Sequence, residues 1–264
     1  MKRRAFINSS MILASGLLLP LAAKTQVVNL GDAINKSGRQ RMLSQRLAKA
    51  YCQIGLNIET DNSKKILDQS LSLFDRQLVE LRAFVSTAEL RSGLAAMEKN
   101  WLDYKQLLVG KAPNKHDAKT VISLSEDILQ MADNSTSQLE KQAGNSASKL
   151  VNLAGRQRML LQRMAKYYQA IQWEVAPSDA IAILENTRKE FSVAMNNLNA
   201  AGSNTAKIKD ELMLAQTQWV FFDAAIKQAN DAKTHRQSAI NVATTSERLL
   251  DVMDRVTSLY QQIA

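Results

Sequence analysis

Arginine, glutamine and lysine recur in this chain at a spacing that sets them on chosen faces of a helix. Gly38 to Tyr51 reads GRQRMLSQRLAKAY and Gly155 to Tyr168 reads GRQRMLLQRMAKYY, with eleven of fourteen positions identical at an offset of 117. Such a match marks an internal duplication. Turned at about 100° per residue, Leu43, Leu47, Ala50 and Ile54 form an ordinary core stripe. On the opposite side Ile34, Gly38, Arg41, Gln45, Ala48 and Cys52 form a second stripe, repeated as Val151, Gly155, Arg158, Gln162, Ala165 and Gln169. A solvated face needs no such period of small and apolar residues, so a second contact surface is expected there. On it one glycine permits close approach, and an arginine one turn away offers charge-assisted hydrogen bonds to an anion or to a facing acid. Arg39 and Arg46 lie on a flank of the core stripe, where they snorkel or pair with carboxylates.

Other chemistries find little support. The two histidines, His116 and His235, are far apart and leave little for a zinc site, and one cysteine, Cys52, excludes an intramolecular disulfide framework. No Gly-rich phosphate loop, Gly-x-Ser-x-Gly elbow or His-Glu-x-x-His pattern occurs, and no nucleophile has a visible base partner. An enzyme is not expected, nor a metal or cofactor. Cys52 stands where the second copy has Gln169, which fits a small buried residue better than a redox centre.

The elements that must position the arginines follow from the rest of the repeat. Leu67, Leu71, Phe74, Leu78 and Leu81 carry bundle spacing, matched by Leu184, Arg188, Phe191, Met195 and Leu198 with only Arg188 out of character. Leu90, Leu94, Met97, Trp101, Tyr104 and Leu108 are mirrored at an offset of 118 by Ile208, Leu212, Ala215, Trp219, Phe222 and Ile226, which makes both tryptophans expected core residues. A fourth pair follows Ser125-Glu126 and Ser246-Glu247. Three prolines and nine glycines are too few to punctuate a β-sandwich or barrel. The expected fold is all-α: two tandem antiparallel four-helix bundles, with helices near 29–60, 63–86, 88–109 and 117–142, then 147–175, 178–199, 204–230 and 234–263. A Ser86-x-x-Glu89 capping box opens the third. Gly144-Asn145-Ser146 supplies a helix stop and N-cap candidates. A turn there sets the duplicated segments side by side about a pseudo-two-fold axis.

The first 23 residues carry an address. Lys2, Arg3 and Arg4 precede an apolar core from Met11 to Leu21, and Ala22-Ala23 supplies a small-residue cleavage site. Arg3-Arg4-Ala5-Phe6-Ile7 resembles the twin-arginine export motif, with Lys2 where Ser or Thr is usual. The uncharged run is short for a bilayer that needs about 20 residues. The expected organisation is therefore a signal peptide over 1–23, a first bundle over 24–143 and a second over 147–264, with a periplasmic mature chain. The full sequence holds 34 Lys plus Arg against 25 Asp plus Glu, and loss of the three signal cations leaves +6. In the periplasm such a balance points away from nucleic acid and toward an anionic small ligand, an acidic partner or a membrane surface.

The string INKSGRQRMLSQRL over 34–47 resembles the periplasmic signature helix of NarX/NarQ-type nitrate sensors and the N-terminal domain of PilJ-type type IV pilus methyl-accepting chemotaxis transducers. Ile34-Asn35, Gly38, Arg41-Met42 and Arg46-Leu47 carry the likeness, and the second copy keeps Val151-Asn152, Gly155, Arg158-Met159 and Arg163-Met164. The resemblance implies a four-helix sensor fold in each half. It also implies that the arginine of the Arg-Met step holds an anion where signature helices pair. That role falls on Arg41 and Arg158, with Gly38 and Gly155 letting the backbones approach and Gln45 and Gln162 on the same face. The chain departs from the sensors in placing Arg39-Gln40 and Arg156-Gln157 between glycine and arginine.

The expected function is a periplasmic protein that binds a small anion, nitrate or nitrite, between two arginines that repel in its absence. It would report to a membrane sensor kinase, a chemotaxis transducer or a transporter. The alternative is a ligand-free adaptor whose signature helices bind a homologous membrane sensor.

Overall fold

A computed structural model describes residues 26–227 and 235–264; the expected signal peptide lies outside them. The described chain forms eight helices: α1 (Leu30–Gly55), α2 (Thr60–Phe84), α3 (Ala88–Leu108), α4 (Lys115–Ala143), α5 (Ser146–Gln172), α6 (Ala180–Asn199), α7 (Ala206–Lys227) and α8 (His235–Gln262). No strand occurs among the described residues, and no helix among them is long and apolar enough to cross a membrane.

Local chemistry sets the helix ends. Asn29 caps α1 by accepting from the Asp32 N–H at 2.8 Å, while Asp32 accepts from the Val28 N–H at 3.1 Å. Asn114 and Asn145 cap α4 and α5 in the same way, at 2.9 and 2.7 Å. The cap of α3 is Thr87, which accepts from the Leu90 N–H, rather than Ser86 of the expected capping box. Gly144 stops α4 with φ 65°, the left-handed conformation that glycine adopts without a Cβ penalty, so the chain turns there.

Helix α1 ends about five residues before its expected limit. Asn57 and Glu59 adopt φ 55° and 44°, and Glu174 repeats the left-handed stop in the second half at φ 57°. At Gly55 a Cβ would lie 2.2 Å from the Trp173 ring. This glycine is therefore needed for close packing of α1 against the end of α5.

Helix α1 packs against α2, α4 and α5; α5 packs against α1, α6 and α8. The outer helices complete each bundle through α2–α3 and α3–α4, and through α6–α7 and α7–α8. Both predicted faces of α1 are consequently covered: Leu43, Leu47 and Ala50 on one side, and Ile34, Gly38, Arg41, Gln45, Ala48 and Cys52 on the other, are buried. Trp101 is a core residue as expected, stacked on Phe74 with centroids 3.9 Å apart and donating from its indole N–H to Asp75 at 2.7 Å. Trp219 meets that expectation in part. It stacks on Phe191 at 4.2 Å but stays half-buried. Arg188, which replaces Leu71 of the first copy, pairs with Asp223 at 2.6 Å and lines an ion-paired groove beside Trp219.

Candidate functional site

The repeated segments of α1 and α5 meet along their second stripe, and their side chains bond reciprocally. Arg41 donates through Nη1 to Asp133 of α4 at 2.6 Å and through Nη2 to the Asn152 side chain of α5 at 2.7 Å. Arg158 pairs through Nη1 with Asp254 of α8 and donates through Nη2 to the Asn35 side chain of α1 at 2.8 Å. Each arginine therefore takes an acid from its own half and an amide from the other.

Both guanidinium groups are fully buried and converge on the two glycines. A Cβ on Gly38 would lie 3.0 Å from Arg41 Nη2 and 3.8 Å from Arg158 Nη2; one on Gly155 would lie 3.2 Å from Arg158 Nη2 and 3.6 Å from Arg41 Nη2. Any larger residue at either place would press on the guanidiniums. Two nitrogens that close to a common point stand within about 7 Å of each other, a separation at which unit charges repel by roughly 2 kcal/mol at an effective dielectric of 20. The repulsion expected from sequence is offset here, because Asp133 and Asp254 neutralise the pair. Burial lowers the basicity of both arginines against the pull of those acids. Arg158 falls to about 10, with Arg39 and Arg41 adding to the effect, and it still carries its charge at neutral pH. Nε of each arginine is buried with no hydrogen-bond partner among the described residues.

Gln45 and Gln162 share the stripe but turn their amide nitrogens elsewhere, to the Ser125 carbonyl at 2.8 Å and the Ser246 carbonyl at 3.4 Å. Their Oε1 atoms are left unpartnered, as are both side-chain polar atoms of buried Gln157. Arg39 and Arg46 pair with carboxylates of the opposite half: Arg39 with Asp254 at 3.2 Å, and Arg46 with Glu247. Arg156 and Arg163 repeat this toward Asp133 at 3.0 Å and Glu126 at 2.6 Å. Asp133 and Asp254 are thus each shared by two arginines, one from either half.

A second reciprocal cluster escaped the sequence reading. Lys49 is completely buried and reaches Ser246 at 3.2 Å and Glu247 of α8; Lys166 reaches Ser125 at 3.0 Å and Glu126 of α4 at 2.6 Å. Burial pulls Lys166 down to about 8 in spite of Glu126. Burial alone pushes Glu247 up, but Lys49 and Arg46 outweigh it and hold the carboxyl at about 2. The signal was in the repeat: Lys49 and Lys166 are identical across the copies, and so is the Ser-Glu step they meet. What the sequence lacks is the pairing of each lysine with the Ser-Glu step of the other half. Cys52 is buried, and desolvation pushes its thiol up to about 12, which removes it from nucleophilic chemistry. No group of three or more His, Cys, Asp or Glu side chains placed to hold a metal occurs among the described residues.

A family model described as type IV pili methyl-accepting chemotaxis transducer N-term matches residues 23–128 and again residues 141–245. The chain belongs to this transducer family. It carries the domain twice in tandem, and the Gly-Arg helix of each PilJ-type copy supplies one half of the arginine pair. Comparison with curated proteins and with solved structures gives no match. The family is one of sensory signalling domains, which places the paired helices in a setting of signal detection.

Proposed function

We propose that the chain is a periplasmic sensory protein that binds a small inorganic anion between Arg41 and Arg158 and reports its occupancy to a membrane signalling or transport partner. In this reading residues 24–143 and 147–264 are the two sensor units, the segment 1–23 is an export signal, and the role is binding rather than catalysis. One observation carries it: two fully buried guanidiniums converge across a pair of glycines while the Nε donor of each lacks an acceptor. A buried unpaired donor costs about 1–3 kcal/mol, and a planar oxyanion such as nitrate or nitrite offers acceptors that match a guanidinium fork. Asp254 supplies the approach. Its side chain is 35% exposed and, with Arg39, lines a cleft of about 310 Å³ that also holds Lys207 and an Arg255–Glu211 pair at 2.9 Å. An anion entering there meets Arg39 and the Asp254 carboxylate, which it must displace to reach the buried Arg158 behind it, and the charge change acts on α8 as well as on the α1–α5 pair.

A ligand-free adaptor that binds a homologous membrane sensor is the second reading, favoured by the neutralisation of both arginines by Asp133 and Asp254. Calorimetric titration with nitrate, nitrite and chloride separates the two. Arg41→Ala or Arg158→Ala should weaken anion binding roughly 10- to 100-fold, the loss of charge-assisted bonds worth about 1.5–3 kcal/mol, and lysine should not restore it fully. An anion at 100 times its Kd should stabilise the native protein by about 2.7 kcal/mol. A thermal-shift response flat to every anion refutes the binding reading and leaves the adaptor.

A further inference from the structure

The duplication supplies an internal reference for the outer surface, and α7 departs from it. Its exposed residues Asp210, Met213, Thr217, Val220, Ala224 and Lys227 follow a 3-4-3-4-3 spacing on the face opposite the buried seam of Ile208, Leu212, Ala215, Phe222 and Ile226. Met213 is 67% exposed, Val220 60% and, alongside them, Phe221 59% and Leu214 40%. The first copy carries Ser92, Ala95, Lys99, Leu102, Gln106 and Val109 at the corresponding places along and just beyond α3, Leu102 and Val109 also being exposed, with Ala96 and Asp103 where α7 has Leu214 and Phe221. A lysine, an aspartate and a glutamine of the first bundle have thus become threonine, phenylalanine and alanine in the second. The α7 helix is apolar on both sides, and the described residues cover only one of them.

We infer that the outer face of α7 pairs antiparallel with the same face of a second copy of this chain. Seam positions spaced in this way form the layers of a two-helix coiled coil. In antiparallel register Met213 falls opposite Ala224, a large side chain against a small one, and Thr217 falls opposite Val220, two β-branched side chains of similar size. The end layers set Asp210 against Lys227, which are oppositely charged, and the two-fold axis repeats every layer; Lys227, which also pairs with Asp223 of its own helix at 2.7 Å, keeps a side chain 62% exposed. A parallel pair sets Asp210 on Asp210 and Lys227 on Lys227. The 22-residue helix is about 33 Å long, and a strip of that length covers less than the roughly 800 Å² per partner of a standard stable interface. The pairing is therefore weak and governed by concentration.

Sedimentation velocity over a concentration series tests it, with melting curves to show that the variants fold. The expected result is a monomer that becomes a dimer as concentration rises. Thr217→Lys, which restores the residue type of the first copy, should weaken association about tenfold or more without changing the melt. Because Cys52 is buried, mild oxidation of Asp210→Cys protein mixed with Lys227→Cys protein should give a disulfide-linked heterodimer. Three results overturn the inference: a monomer at every concentration, a dimer indifferent to Thr217→Lys, or a dimer in which positions 210 and 227 never cross-link. A monomer that instead cosediments with anionic phospholipid vesicles overturns it too, and assigns the stripe to a membrane surface.

Discussion

Glu247→Gln isolates the clasp that α8 makes on α1. In the native protein Lys49 and Arg46 hold this carboxyl at about 2, against an ordinary value of 4.5. At 1.36 kcal/mol per pH unit the difference corresponds to about 3 kcal/mol, and removing one partner of a buried ion pair costs a similar amount. The unfolded chain takes up the proton near 4.5, whereas the native protein resists until about 2. Between those values the unfolded state binds more protons, and stability falls as pH falls. The contribution is therefore complete above pH 4.5 and gone below pH 2. Urea denaturation of wild type and Glu247→Gln at steps from pH 7 to pH 2.5 reads both quantities. The variant should be less stable by about 3 kcal/mol at pH 7, and the gap should narrow steadily below pH 4.5, because the wild type is then losing the same charge. Other carboxylates titrate in both proteins and largely cancel in the difference. A gap that stays constant to pH 2.5 would show that Glu247 acts through packing alone and would refute the electrostatic argument.

Other expected outcomes test the frame around the site. Gly55→Ala puts a methyl where the Trp173 ring lies, and overpacking of that kind costs about 1–3 kcal/mol; thermal melts should show a fall in Tm that Trp173→Ala in the same chain partly reverses. Gly144→Ala forces a non-glycine residue to φ 65° and should cost about 1 kcal/mol in urea denaturation. The Cys52 thiol, pushed up to about 12 and fully buried, should resist a thiol-reactive dye in the native protein at pH 8 and react promptly in denaturant. Replacing Arg3-Arg4 with Lys-Lys should block export by a twin-arginine route, and unimpaired delivery in a fractionation assay refutes that route.

The helices were legible because apolar spacing reports which side of a helix is covered, and the 117-residue repeat allowed each reading to be checked in a second copy. The buried second stripe was legible for the same reason: Gly38, Ala48 and Cys52 have no place on a wet surface. What escaped was long-range charge pairing. Lys49 has the look of a solvated lysine, and only the approach of Ser246-Glu247, some two hundred residues away in sequence, explains its burial. Arg41 and Arg158 were found by periodicity, but Asp133 and Asp254 sit on faces of α4 and α8 that no local pattern distinguishes. Trp219 packs on the core as expected but stays half-buried beside the Arg188–Asp223 ion pair, which apolar spacing does not record.

The crossed pairing of the halves also bears on the order of events in synthesis. Arg46 and Lys49 emerge early, but the carboxylate that neutralises them is on the last helix, Glu247 of α8. A nascent chain that has completed only its first bundle holds a lysine destined for an apolar interior with no counter-ion, and cannot close its α1 face without a desolvation penalty. Contacts of such high sequence separation form late. The duplicated halves are therefore expected to close together rather than one after the other like beads on a string, the α1 face of the first staying open to water until α8 brings Glu247.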